Sequence, residues 1–208
     1  MARTAKAADL TLRRVRPSDG AALSAFYAGL SAESRRSRFL GPASGVSDAL
    51  SRSFCTPDHS HAEGFVALAA DGALVGHLCL EPLDESRLEL AVAVADEWQG
   101  RGIGRALFEA ALGWARQRRY REVVASAYAD NGRVLRLLSS APFAAQVSPA
   151  GAGVVNVTLP LAGELPASWQ RLPPAAARAR RGRRSGPARG PCRVFWRRTQ
   201  PPVRGAAG

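Results

Sequence analysis

The stretch Leu88-Glu-Leu-Ala-Val-Ala-Val94-Ala-Asp-Glu-Trp-Gln99-Gly-Arg-Gly-Ile-Gly104-Arg105 decides the fold, because a strand pattern enters it and a helix pattern leaves it. Leu88, Leu90, Val92 and Val94 share one parity while Glu89, Ala91 and Ala93 share the other, which is strand periodicity with the large apolar groups on one face. From Ile103 onward, Leu107, Ala111 and Trp114 recur at helical spacing with Arg105, Glu109 and Arg116 between them. Glycines at 100, 102 and 104 let the backbone pass close to a bulky anion, and the unpaired amides of a helix N-terminus point toward it. Arg101 and Arg105 add positive charge. The stretch reads as a phosphate cradle, with an ordinary glycine-rich strand-to-helix turn as the alternative.

The ligand of such a cradle is narrowed by what is missing. A dinucleotide fold needs Gly-x-Gly-x-x-Gly early in a βαβ unit with an acidic residue some way downstream, and a nucleoside triphosphate loop needs Gly-Lys-Ser/Thr. The stretch has neither pattern.

Upstream of the cradle, Phe65–Ala69 and Leu74–Leu80 flank Asp71-Gly72, a strong hairpin signal. A second turn, Leu83 to Arg87, leads into the Leu88–Val94 strand, so three antiparallel strands feed the loop. Thr11–Arg16 alternates weakly and stops at Pro17, after which Ser18 or Asp19 caps a helix carrying Leu23, Phe26, Tyr27 and Leu30. Ser31 to Ser34 offers another cap before Arg35, Arg36 and Arg38, which read as a solvated helix face. Gly41 to Gly64 is the least legible region, with two helical turns expected over Ser47–Phe54. Downstream, Glu122–Tyr128 reads as a buried strand parallel to the one before the loop. Asp130-Asn131 caps a short helix with Val134, Leu135, Leu137 and Leu138, ended by Pro142. Phe143–Val147, a Ser-Pro-Ala-Gly-Ala-Gly turn and Val154–Leu159 make a final hairpin.

At 208 residues and 46% hydrophobic content the chain has material for one sizeable core. The net charge of +12 points toward nucleic acid only until its distribution is read. Eleven arginines and no acidic residue follow Gln170, and removing them from the total leaves about +1 for the rest. The basic signal therefore belongs to a Pro/Arg-rich tail, expected to be disordered over 164–208, or to be a gene-model artefact; nucleic-acid binding, if any, is expected through that tail alone. Residues 1–9 are expected to be a flexible N-terminus. Cys55, Cys79 and Cys192 are scattered, and no signal peptide or long apolar run is present, which suggests a cytoplasmic protein with no membrane partner. His59-x-His61 lacks a third ligand set at a usual spacing, so no metal is expected. His77, mid-strand, reads as a packed or hydrogen-bonded core histidine.

Gln99-x-x-Gly102-x-Gly104 after a strand ending in Val94 resembles the acyl-CoA pyrophosphate loop of the GCN5-related N-acetyltransferases (GNAT). The element order over Leu10–Pro160 is similar to the whole domain of that superfamily. Leu12–Asp19, Leu30–Phe39 and Glu89–Gly104 are most similar to bacterial Pat-type protein-lysine acetyltransferases. The resemblance implies a mixed α/β (α+β) GNAT fold over residues 10–163: a central, mostly antiparallel twisted sheet of six to seven strands with helices on both faces. It also implies acetyl-CoA as co-substrate. Backbone groups of Val92, Ala93 and Val94 would then hold the pantetheine arm, and Gln99, Gly100, Arg101, Gly102, Ile103, Gly104 and Arg105 the pyrophosphate. Asn131 would contact CoA, cap its helix, or do both.

An acceptor lysine has a pKa of about 10.4, so neutralising it at pH 7 costs roughly 4.6 kcal/mol, and a positioned base is useful. Glu89 is the first candidate. It stands on the opposite parity from the large apolar residues, beside only Ala91 and Ala93, and the Pat-type glutamate at this strand position is the base. A surface glutamate paired with an arginine is the alternative. Many relatives place a tyrosine acid seven residues after the Asn; here that position is Leu138, and the family's Gly-Phe has become Pro142-Phe143. Tyr128, ending a strand near the cleft, or water is left to protonate the thiolate. The expected reaction is acetyl transfer to an amine, a protein lysine or a small molecule, by direct attack in a ternary complex. A non-catalytic acyl-CoA-binding module is the alternative. The acceptor and the oligomeric state are not legible.

Overall fold

The computed structural model describes residues 10–41, 46–163 and 166–169. The expected flexible N-terminus and the basic tail, with its nucleic-acid reading, lie outside them, apart from a short 3-10 turn at Ala167–Trp169. In chain order the elements are β1 (Thr11–Arg14), α1 (Gly20–Gly29), α2 (Ala32–Phe39), α3 (Asp48–Phe54), β2 (Glu63–Leu68), β3 (Leu74–Pro82) and β4 (Arg87–Val94). Then follow α4 (Ile103–Gln117), β5 (Glu122–Tyr128), α5 (Gly132–Ser139), β6 (Gln146–Gly151) and β7 (Val154–Pro160).

The seven strands form one sheet of order β1-β2-β3-β4-β5-β7-β6. Every neighbouring pair is antiparallel except β4 and β5, which run parallel because α4 connects them. The alternation read in β4 separates two cores. Leu88 and Leu90, with Leu78 and Leu80 of β3, face Ile103, Leu107, Ala111 and Trp114 of α4. Ala91, Ala93 and Cys79 turn to the opposite face, where Leu23, Phe26 and Tyr27 of α1, Phe39 of α2 and Phe54 of α3 cover the sheet. Helices on both faces therefore bury the sheet, and the small residues of β4 lie on the α1–α3 side.

Local chemistry explains the boundaries. Ser31 Oγ accepts the Ser34 N–H at 3.1 Å to start α2, and Ser47 Oγ accepts the Leu50 N–H at 3.2 Å to start α3, matching the two turns expected there. The Asp71-Gly72 turn forms with Gly72 at φ 85°. The last hairpin differs from expectation: β6 runs from Gln146 through Pro149 to Gly151, and the turn is only Ala152-Gly153, at φ 50° and 74°. Pro149 is tolerated because β6 is an edge strand and its register shifts between Pro149 and Gly151. Past Pro160 the chain returns to the α4 face, where the Trp169 ring lies edge-on to Phe108, 6.0 Å between centroids. Among the described residues no helix is long and apolar enough to cross a membrane.

Candidate active site

β4 and β5 pair only at Arg87–Glu122, Leu88–Val123 and Glu89–Val124, and beyond Glu89 they part. A cleft of about 920 Å³ opens along the upper part of β4, floored by Val92, Ala93 and Val94 and bounded by the glycine loop, the start of α5 and one side of α2. The fork exists because β4 continues into the loop and α4 while β5 turns away into the N-terminus of α5. Only one side of β4 remains laddered, to β3, as far as Val94.

The loop is held by its own side chains. Gly100 and Gly102 sit at φ 76° and 84°, and nothing lies within 4 Å of where a Cβ would stand, so backbone conformation alone demands glycine there. Gly102 is the N-cap of α4 and supplies no side-chain acceptor, which leaves the first amides of a 15-residue helix facing the cleft uncapped. Gln99 is a bracket: Nε2 donates to the Val94 carbonyl at 3.1 Å and to Ser34 Oγ at 3.2 Å, and Oε1 accepts from Arg133. Asp96 ties α2 down, its carboxylate accepting from Ser31 N–H at 2.9 Å, Ser31 Oγ at 2.8 Å and Ser34 Oγ at 2.7 Å. These bonds hold its carboxyl below the usual carboxylate range against the opposing effect of burial.

Of the residues singled out for the donor, Val92, Ala93, Val94, Gln99, Gly100, Gly102, Ile103, Gly104, Arg105 and Asn131 all line this one cleft. Arg101 does not; its guanidinium lies over the Trp98 ring at 4.9 Å. Arg105 pairs with Glu109 at 2.8 Å. Asn131 lines the cleft and also caps α5, its Oδ1 accepting the Val134 N–H at 3.2 Å.

Glu89 and Tyr128 lie on the α2 side of the sheet, four residues apart along the β5 register, and neither is in the lining of the cleft. Glu89 is the last residue of β4 paired to β5, so it stands at the root of the fork. Its Oε2 is buried without a hydrogen-bond partner. Burial pushes its carboxyl up to about 7, Cys79 adding to the rise and Arg38 opposing it. Tyr128 shares that face through the Glu89–Val124 register, and its ring lies under the Arg36 guanidinium at 3.9 Å. Leu138, where relatives carry a tyrosine, is fully buried in the core and has no acid to offer.

The α2 arginines are only partly a solvated face: Arg36 is exposed, whereas Arg35 and Arg38 are half-buried. Arg38 is half-buried, its guanidinium 4.9 Å from the Phe39 ring centroid and 5.5 Å from that of Phe54, and Nη2 donates to Cys79 Sγ at 3.3 Å. Arg36 and Arg38 both reach the cleft. The physical reason is composition: Phe39 is the one large apolar residue of α2, so arginine stems do the packing. Arg133 and Arg136 of α5 were not singled out from the sequence, yet both line the cleft; their placement one turn apart beside Asn131 was the available signal. Glu81 was also missed. It lies directly opposite Glu89 in the β3–β4 ladder, is 8% exposed, and burial pushes it up to about 8. Counting back across the Leu83–Arg87 turn would have paired the two.

The remaining histidines have structural partners. His77 is fully buried, with Nδ1 2.8 Å from the Tyr27 hydroxyl, and burial pushes it down to about 3, so it is neutral in the fold. His59 pairs with Glu63 at 2.8 Å and His61 with Asp58 at 3.0 Å. Among the described residues no group of three or more His, Cys, Asp or Glu side chains is arranged for a metal ion.

The model of the Acetyltransferase (GNAT) family matches residues 32–140, a little over half of the chain, and spans α2, the hairpins, the glycine loop and α5. The chain belongs to that family, and it is an acyltransferase. No curated protein sequence matches it. Among solved structures it is similar to the GNAT domain of S. lividans PAT, with 24% identity and a TM-score of 0.65 over 72% of this chain and 89% of that one. It is also similar to yncA of Salmonella typhimurium, whose structure holds acetyl-CoA (19% identity, TM-score 0.60, 81% and 99%). A third is the spermidine N-acetyltransferase of Vibrio cholerae in complex with CoA and spermine (17%, 0.56, 73% and 94%). At these identities the likeness is one of fold.

Proposed function

We propose that this protein moves the acetyl group of acetyl-CoA to an amine, a protein lysine by preference, by direct attack within a ternary complex. The observation that carries the reading is the fork: β4 and β5 part immediately above Glu89, whose Oε2 is buried and unpartnered, and the opening leads to the uncapped N-terminus of α4. The donor's chemistry fits the residues present. Its pyrophosphate needs amide donors and positive charge, supplied by the loop from Gln99 to Gly104, by Arg105, and by Arg133 and Arg136 across the cleft. Its pantetheine arm carries amides that pair with β4 backbone groups beyond Glu89, as a missing strand would.

Glu89 takes the role of general base. A carboxyl near 7 is largely ionised at slightly alkaline pH and has the proton affinity the task requires. It accepts a proton from the acceptor's ammonium; the nitrogen lone pair attacks the thioester carbonyl, the C–N bond forms and the C–S bond breaks. Overall one proton goes to the thiolate and one to solvent. Tyr128 beneath Arg36 is the side chain we assign to the sulfur's proton, with water as the alternative donor. We assign the transferase domain to residues 10–163, with Trp169 as an added anchor, and the cytoplasm as its compartment, where donor is made and the buried Cys55 and Cys79 stay reduced.

The test is an acetyl-CoA consumption screen with the full chain, scoring free thiol release against lysine peptides, polyamines and small amines. Release that depends on a lysine peptide supports the reading in full; release with small amines alone overturns the protein-lysine preference. No release with any amine overturns the reading itself.

A further inference from the structure

The β3–β4 register sets Glu81 opposite Glu89, Cys79 opposite Ala91 and His77 opposite Ala93, all on the face covered by α1, α2 and α3. Directly opposed residues of an antiparallel ladder have Cβ atoms about 4.5–5.5 Å apart, where two like charges repel. Glu81 is buried, only 8% exposed. Glu89 is less deeply buried, yet its Oε2 has no donor. The charged and titratable groups around the pair are Arg38 from α2, Cys79 from β3, and Asp58 from the loop before β2. Arg38 is the single cation among them, one positive charge facing two carboxyls.

Two carboxylates in that position are electrostatically untenable, and the orphaned Glu89 oxygen needs a donor. The carboxyl across the ladder becomes one if it keeps its proton. We propose that Glu81 is the positioning residue of the catalytic base: a carboxylic acid held neutral by its burial, donating its O–H to the Glu89 carboxylate and fixing that group toward the acceptor amine. This rests on Glu89 being the base. The resting pair then carries one negative charge and one proton. When Glu89 takes the acceptor's proton, an N–H bond breaks, an O–H bond forms and the pair becomes neutral; loss of that proton to water restores it. The greater burial of Glu81 fixes which of the two keeps the proton at rest.

The pairing is read directly from the full-length chain labelled with carbon-13 at the glutamate carboxyls, by following both signals against pH. The expected result is that Glu81 ionises at least one pH unit above Glu89, with each signal responding to both steps. Ionisation of Glu81 at or below the pH at which Glu89 ionises overturns the proposal. The variants give a second reading. Glu81→Leu removes the donor and should move the acid limb of kcat/KM up by about one pH unit, a tenfold loss on that limb. Glu81→Gln, whose carboxamide still donates, should return the limb toward its original position. A limb unmoved by Glu81→Leu assigns Glu81 a purely structural role and overturns the proposal. If Glu89→Gln keeps full turnover, the base reading fails, and the carboxyl titration still decides whether the pair shares one proton.

Discussion

Gly102 and Gly104 of the loop are there for different reasons, and alanine separates them. At Gly102 a Cβ meets no atom within 4 Å, but φ is 84°. An L-residue held in the left-handed region costs about 1–2 kcal/mol. Gly102→Ala should lower the melting temperature by roughly 2–8 °C for a domain of this size. It should also weaken acetyl-CoA binding about 5- to 30-fold, because relieving the strain rotates the amides of α4 away from the cleft. Gly104 is the opposite case. It lies in the first turn of α4, where a Cβ would stand 3.6 Å from Leu137 Cδ2 and 3.7 Å from Val94 Cγ2, ordinary contacts. Alanine is the better helix former by about 1 kcal/mol, so Gly104→Ala should melt at the wild-type temperature or up to about 4 °C above it. It should nevertheless bind acetyl-CoA less tightly, since the new methyl group lies in the wall of the donor cleft. Thermal melts and isothermal titration of the two variants supply both numbers. Wild-type affinity in Gly104→Ala, or in a Gly102→Ala protein that melts like wild type, would refute the assignment of this loop to the donor.

Other substitutions probe the supports of the site. Asp96→Ala removes three hydrogen bonds at an exposed position, which together contribute about 1 kcal/mol; amide exchange over 31–39 should quicken and acetyl-CoA affinity fall several-fold. Unchanged exchange would show that α2 is held by its other contacts, those of Phe39, Arg36 and Arg38, without Asp96. Gly64→Ala puts a Cβ 2.6 Å from Val15 Cγ1 and should cost about 1–3 kcal/mol, seen as a lower denaturant midpoint with an unchanged slope. Stability should fall as pH rises from about 5.5 to 8.5: Glu81 and Glu89 are held above the ordinary glutamate value of 4.5, so the folded state binds more protons than the unfolded chain across that window. His77, neutral in the fold down to about 3, acts in the reverse sense and costs stability only as pH drops below about 6.5. A melting temperature that climbs between pH 5.5 and 8.5 would contradict the burial of the two carboxyls.

The element order was legible because strong local signals coincide with it. The parity of Leu88 to Val94, the Asp71-Gly72 turn and the helical spacing after Ile103 each settle a piece of backbone without help from distant residues. The cleft was legible for the same reason, since the eleven positions singled out belong to one stretch, 92–105, and one helix cap, and ten of them line it. Arg101 is outside the lining because Trp98, three residues earlier, offers its guanidinium a ring to stack on. What the sequence hid were contacts across the sheet. The Glu81–Glu89 pair depends on hairpin register, the stacking of Arg36 on Tyr128 depends on how α2 crosses β5, and the Gln99 bracket joins three separate elements. Arg38 misled because charge on a short helix usually means solvent, whereas here its guanidinium packs over the Phe39 and Phe54 rings of a helix with one large apolar residue of its own.

The central claim is that Glu89 removes the acceptor's proton while the glycine loop holds the donor. Glu89→Gln keeps the shape and removes the base, and the loop and its amides lie outside its reach. With the best acceptor in hand, turnover and acetyl-CoA affinity should be measured on the same preparation. The expected result is a fall in kcat of about 100-fold or more with the dissociation constant of acetyl-CoA changed less than about threefold. Turnover within a fewfold of wild type across the pH range would contradict it.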